Sequence, residues 1–211
     1  MASDSDSAVG RNTADPWWNK LPHTDYGGAE YGAFLEKFRD LQDAVVRANP
    51  PSEVWAEIAG AADQMIERLQ PWAKGEKEEP AGTRLDLPGR GHPFLLPFVP
   101  TESTDSVVRG HVTFRRFHLG GNGAAHGGAL PLLFDEVLGR LANSGDRPIG
   151  RTAFITVNYR HITPVGVELS VIATFDKEDG RKRWVSGRLL HGDTVVADAE
   201  GLFVQLRPGQ P

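Results

Sequence analysis

Apolar and polar positions alternate with two different periods along this chain. Between residues 27 and 72 the apolar residues return every three or four positions: Tyr31, Phe34, Leu35, Phe38, Leu41 and Val45, then Val54, Ile58, Ala62, Met65, Leu69 and Trp72. That spacing predicts two amphipathic helices, separated by Pro50-Pro51 and restarted at Ser52. Both stripes need a surface to cover, either each other or the domain that follows. Residues 74–90, with Gly, Pro and the run Glu76-Lys77-Glu78-Glu79, read as a linker.

From about Gly91 the period becomes two. Val108, Gly110, Val112 and Phe114 alternate with Arg109, His111, Thr113 and Arg115, the pattern of a half-exposed strand. Four more strands are predicted over 152–160, 167–175, 182–190 and 194–206. Their joins are turn-like (Pro164-Val165-Gly166, Glu178-Asp179-Gly180, His191-Gly192-Asp193), and links this short predict antiparallel neighbours. Ahead of these four strands Leu130, Leu133, Phe134, Val137, Leu138 and Leu141 form one helical stripe. Pro131 is tolerated only in a first turn, so that helix starts within 127–130. The prediction is strand, long helix, then antiparallel meander: one helix packed on one sheet, an α+β architecture.

With 211 residues, 39% of them hydrophobic, the chain can build one good core plus an appendage. A net charge of −5 argues against a nucleic-acid binder. The absence of cysteine excludes disulfides, thiol catalysis and Cys-ligated metals. No long uncharged apolar run predicts a membrane span. Residues 1–15 are acidic and Ser-rich without an apolar signal core, so a disordered tail and a cytoplasmic location are expected. The seven histidines show no HxH, HxxxH or HExxH spacing, and no metal is expected. The Gly121-x-Gly123-x-x-His126 run lacks the third glycine of a dinucleotide loop, and no GxSxG elbow is present.

The candidate chemistry lies where Gly120-Gly121-Asn122-Gly123-Ala124-Ala125 opens through His126-Gly127-Gly128 into the helix. Backbone N–H groups at a helix start are unpaired and sit at the positive end of the dipole, where a carbonyl oxygen gaining negative charge is favoured. Further along, Asp135 shares a face with the small residues Pro131, Gly139 and Ala142, which lets a ligand or backbone approach. Glu136 has Arg140 as its i+4 partner, the pattern of a surface ion pair worth a few tenths of a kcal/mol, roughly. Gly127 and Asp135 are eight positions apart, roughly 12 Å along a helix. Reacting atoms must lie within about 3–3.5 Å, so both groups cannot reach one carbonyl from the same chain. Two antiparallel copies of the helix could supply one each, which predicts a homodimer if both take part.

On these residues the chain resembles the hotdog-fold acyl-CoA thioesterases, in particular the phenylacetate-pathway (PaaI-type) and THEM-type branch. The resemblance rests on His126-Gly127-Gly128, the acid Asp135 two turns on, and the stretch from Thr156 to Gly166. It covers about residues 91–206, leaving a tail over 1–26, a helical extension with linker over 27–90 and a C-terminal tail over 207–211. It implies an antiparallel sheet wrapped around the central helix and a dimer or dimer of dimers. It also implies that the Gly127 N–H polarises the thioester carbonyl while the partner's Asp135 acts as nucleophile or general base. By the same resemblance Asn122 holds the water or the loop, His126 orients the loop, and either Thr152 or Thr156, placed on one strand face, positions the water. Gly128, Glu136, Asn158 and Arg160 are implied as substrate contacts, the basic ones reaching the phosphates of coenzyme A. No cofactor is implied beyond the coenzyme A of the substrate. The activity expected is hydrolysis of a fatty or aromatic acyl-CoA. The alternatives are a noncatalytic acyl-CoA-binding hotdog protein and a hotdog hydratase or dehydratase.

Overall fold

A computed structural model describes residues 25–76 and 78–209. All but two residues of the tail expected over 1–26 lie outside that range. Two helices come first, α1 (Gly28–Val45) and α2 (Ser52–Leu69). Strands β1 (Val99–Ser103) and β2 (Val107–Thr113) lead to a small hairpin, β3 (Leu119–Gly121) and β4 (Ala124–Ala125). Helix α3 (Ala129–Ala142) follows, then β5 (Gly150–Tyr159), β6 (Glu168–Asp179), β7 (Lys182–His191) and β8 (Thr194–Gln205).

Six strands form one antiparallel sheet in the order β1-β2-β6-β7-β8-β5. Helix α3 lies on one face of it. Leu130, Leu133, Phe134, Val137, Leu138 and Leu141, the predicted stripe, are all buried against Val108, Val112, Val171, Val185 and Leu189. Each such side chain contributes about 1.5–3 kcal/mol by leaving water. A Cβ on Gly187 would meet Leu138 at 3.1 Å and Phe134 at 3.3 Å, so glycine there lets the helix settle closely on the sheet.

Two details differ from the sequence expectation. The link after β5 does not join neighbours: β5 pairs with β8, while β6 sits between β2 and β7. The crossing covers three strand spacings, about 14 Å at ~4.8 Å each. Its eight residues reach about 27 Å at ~3.4 Å per residue, so a short link did not require adjacency. Its path is set by backbone bonds to the small hairpin: Ala125 N–H donates to Thr163 O at 2.8 Å and Val165 N–H to Gly123 O at 3.2 Å.

The second difference concerns the N-terminal stripes. In α1 only Leu35 and Arg39 are buried, and in α2 none is. Phe34, Leu41, Met65, Ile66, Leu69 and Trp72 stay exposed along an apolar groove between the two helices. Neither helix covers the other's stripe. Polar contacts hold α1 to the sheet domain instead. Arg115 reaches Asp43 at 2.9 Å and Asp40 at 2.5 Å, Phe117 N–H donates to Asp43 at 3.0 Å, and Tyr31 Oη donates to Gly91 O at 2.8 Å. The segment read as a linker is itself pinned, because Arg84 donates to Tyr26 O and Gly28 O at 3.1 and 2.7 Å. No helix among the described residues is long and apolar enough to cross a membrane.

Candidate active site

The site residues follow from how α3 begins and what β5 lays beside it. Asn122 occupies the tip of the β3–β4 hairpin with φ 48°, a left-handed turn position that asparagine tolerates, and is exposed. His126 closes the hairpin: its N–H donates to His118 O at 2.6 Å, and its Nδ1 accepts the Gly128 N–H at 3.0 Å. The Nδ1 lone pair is thereby occupied by the loop's own backbone. Ala129 N–H donates to His126 O. The Gly127 N–H makes no hydrogen bond among the described residues, while Gly127 O accepts one from Tyr159 Oη at 2.9 Å. The free amide therefore stands at the positive end of α3, where a developing oxyanion is stabilised.

Two turns further, Asp135 opens to solvent. The sequence pattern placed it on a face with the small residues Pro131, Gly139 and Ala142, which leave it exposed within the single chain. Its Oδ1 accepts the Thr152 hydroxyl at 2.8 Å, and it lines a cavity of about 180 Å³ with Arg90, Glu136, Gly139, Asn143 and Thr152. Asn143 sets this register. Its Nδ2 donates to Gly139 O at 2.9 Å and its Oδ1 accepts Gly150 N–H at 2.6 Å, tying the end of α3 to the start of β5.

Thr152 and Thr156 do not share a face. Thr152 pairs with Phe203 but Phe154 with Leu202, so Ala153 is an extra residue, a bulge, and the alternation inverts there. Thr152 points with buried Phe203 toward α3, whereas Thr156, opposite Glu200, points to the outer face. Asn158 and Arg160 also belong to the outer side: Asn158 Nδ2 donates to Asp198 at 2.8 Å, and Arg160 forms a two-point ion pair with the same carboxylate. Arg160 beside Asp198 holds that carboxyl below its usual range. Thr156, Asn158 and Arg160 are thus not brought to Asp135.

Glu136 and Arg140 are not a surface pair. Their side chains are 10% and 3% exposed, and Arg90 joins Glu136 at 3.0 Å while Arg140 lies at 3.4 Å. Burial pushes the Arg140 guanidinium down and the Glu136 charge opposes it. Removing one partner of a buried pair strands the other charge, so this cluster is part of the cavity wall rather than solvated decoration. Arg90 comes from the N-terminal side with φ 56°, between Gly89 and Gly91, both also left-handed. The sequence reading passed over Arg90, which no periodicity marks, and Tyr159, whose parity with Ile155 and Val157 puts it on the helix side of β5.

No family model matches the sequence. Protein RHA08564, a thioesterase superfamily protein of known crystal structure, is similar over 84% of this chain and 92% of its own, at 27% identity and a TM-score of 0.72. That coverage exceeds what residues 91–206 can supply, so the likeness takes in part of the helical extension. The conserved protein PA5202 from Pseudomonas aeruginosa matches 53% of this chain and 90% of its own, at 26% identity and a TM-score of 0.49. The protein smu.793 from Streptococcus mutans UA159, solved bound to acetyl CoA, matches 51% and 86%, at 18% identity and a TM-score of 0.48. The six-stranded antiparallel sheet laid on α3 is the hotdog fold, and this chain is a hotdog protein of the thioesterase superfamily.

Proposed function

We propose that the chain is an acyl-CoA thioesterase of the PaaI/THEM type, hydrolysing a fatty or aromatic acyl-CoA to free acid and coenzyme A. The observation that carries this reading is the Asp135 carboxylate, which accepts the Thr152 hydroxyl on one oxygen and lines a small polar cavity. The Gly127 amide is its natural complement, but eight helical positions, roughly 12 Å, separate the two in one chain. A homodimer that sets the start of one α3 beside the second turn of the other supplies both to one thioester.

In the general-base form, the partner's Asp135 takes a proton from water as its oxygen attacks the thioester carbonyl carbon. The carbonyl oxygen becomes an oxyanion against the Gly127 N–H. The tetrahedral centre then collapses, the C–S bond breaks, and the thiolate of coenzyme A leaves and is protonated. In the nucleophilic form, Asp135 itself attacks the carbonyl carbon, the C–S bond breaks and coenzyme A leaves as its thiolate. Water then cleaves the acyl–aspartyl anhydride to the free acid and the Asp135 carboxylate. His126 and Gly128 shape the loop, and Asn122 borders it. Asn158 and Arg160 remain phosphate contacts only if coenzyme A runs over the outer sheet edge.

Free-thiol release from short, long and aromatic acyl-CoAs tests the reading. Asp135→Asn is expected to lower kcat by about 10²–10⁴-fold, the worth of general-base catalysis, with KM little changed. Wild type that binds acyl-CoA but releases no thiol from any of them would favour the noncatalytic binding protein.

A further inference from the structure

We infer that Tyr159 is a positioning residue for the oxyanion amide, acting with His126 as a two-sided clamp on the Gly127–Gly128 peptide; this rests on the thioesterase reading above. The peptide between these glycines has two polar atoms, and each is held by a side chain from a different element. Its oxygen, Gly127 O, accepts from Tyr159 Oη on β5 at 2.9 Å. Its nitrogen, Gly128 N, donates to His126 Nδ1 at the end of the hairpin at 3.0 Å. Two consecutive glycines are the most freely rotating backbone a chain can have. The Gly127 N–H lies in the preceding peptide, whose oxygen, His126 O, accepts Ala129 N–H at 2.9 Å. The clamp holds the next plane and so fixes the Gly127 Cα, the pivot about which that amide would otherwise swing. Preorganisation of that amide matters because an oxyanion donor helps only if it is already aimed when charge develops.

The placement of the tyrosine fits this role and not simple packing. The residue is 56% exposed, although it lies on the helix-facing parity of β5, opposite buried Ala197. A Cβ built on Gly127 would have Tyr159 Oη at 3.6 Å and Cε1 at 3.7 Å, so the tyrosine flanks the open side of that glycine. The same carbonyl also accepts Leu130 N–H from the helix, at a longer 3.3 Å. The clamp also fixes the His126 tautomer, because a proton on Nδ1 would face the Gly128 N–H donor.

The test is acyl-CoA turnover and thermal melting of the full-length protein, comparing wild type, Tyr159→Phe, His126→Ala, the double variant and Asp135→Asn. Tyr159→Phe keeps the ring and removes only the hydroxyl. The expected result is a fall in kcat of about 5–50-fold with KM within about twofold, since the oxyanion exists only in the transition state. His126→Ala is expected to do the same, and the double variant to lose much less than the product of the two, because both hold one peptide. Tyr159→Phe with wild-type kcat beside an inactive Asp135→Asn would overturn the clamp and leave the thioesterase reading intact. Multiplicative losses in the double variant would also overturn it, showing two independent contacts. Undiminished turnover by Asp135→Asn would instead remove the reading on which the clamp rests.

Discussion

Thr152 holds one oxygen of Asp135 at 2.8 Å, and that single bond fixes which face of the carboxylate meets a water or a thioester. A hydrogen bond to a charged group is worth about 1.5–3 kcal/mol. Thr152→Val keeps the shape and removes the donor, so kcat is expected to fall roughly 10- to 100-fold, less than for Asp135→Asn. Steady-state kinetics on both variants check the order, and a Thr152→Val enzyme with full kcat would show the bond to be incidental. The position of Asp135 two turns into α3 was legible in the sequence because spacing along one helix is rigid. The choice between Thr152 and Thr156 was not. It depends on the bulge at Ala153, and an alanine between Thr152 and Phe154 carries none of the glycine signal that marks many bulges. The burial of Glu136 was hidden for a related reason: the i+4 pattern names Arg140 as a partner, but Arg90 arrives from 46 residues upstream.

Among the elements, α3 was read to within two residues because a helix buried on a sheet shows its contact face as a continuous stripe. Strand β1 was missed, since Val99-Pro100-Thr101-Glu102-Ser103 has no clean alternation and carries a proline. The attachment of α1 was equally invisible, being polar. It converges on residues Arg115–His118, where Arg115 and the Phe117 N–H grip Asp43 and where the His118 ring sits 3.9 Å from that of Phe117. Burial pushes the His118 imidazole down to about 4, and its Nδ1 accepts the Arg115 N–H at 2.9 Å. The unfolded chain takes this proton near 6.5. Between those values the unfolded state binds more protons, so stability falls as pH drops from about 6.5 to about 4, by up to about 3 kcal/mol. Urea melts across that range are expected to show a flatter pH dependence in His118→Asn than in wild type. Parallel curves would mean that His118 is not kept neutral by the fold.

For the whole molecule, the sheet-and-helix body closes its own core, whereas two features point outward. One is the apolar groove between α1 and α2, with Trp72 76% exposed. The other is β5, an edge strand with most of its residues exposed, which carries Tyr159 and lies beside Asp135. A sequence records that a stripe is apolar but not what covers it, so the groove could not be read in advance. The homodimer, by contrast, is expected from the roughly 12 Å between Gly127 and Asp135 if both act on one thioester, and it is the claim on which the proposed chemistry depends. It is tested most directly by complementation. Gly127→Pro deletes the amide hydrogen and Asp135→Asn deletes the base, so each homodimer is expected to be inactive. After co-refolding at equal amounts, half of the dimers are mixed and each carries one intact site, so about a quarter of wild-type thiol release is expected. No recovery of activity in a preparation shown to contain mixed dimers would contradict a site shared between two copies of the chain.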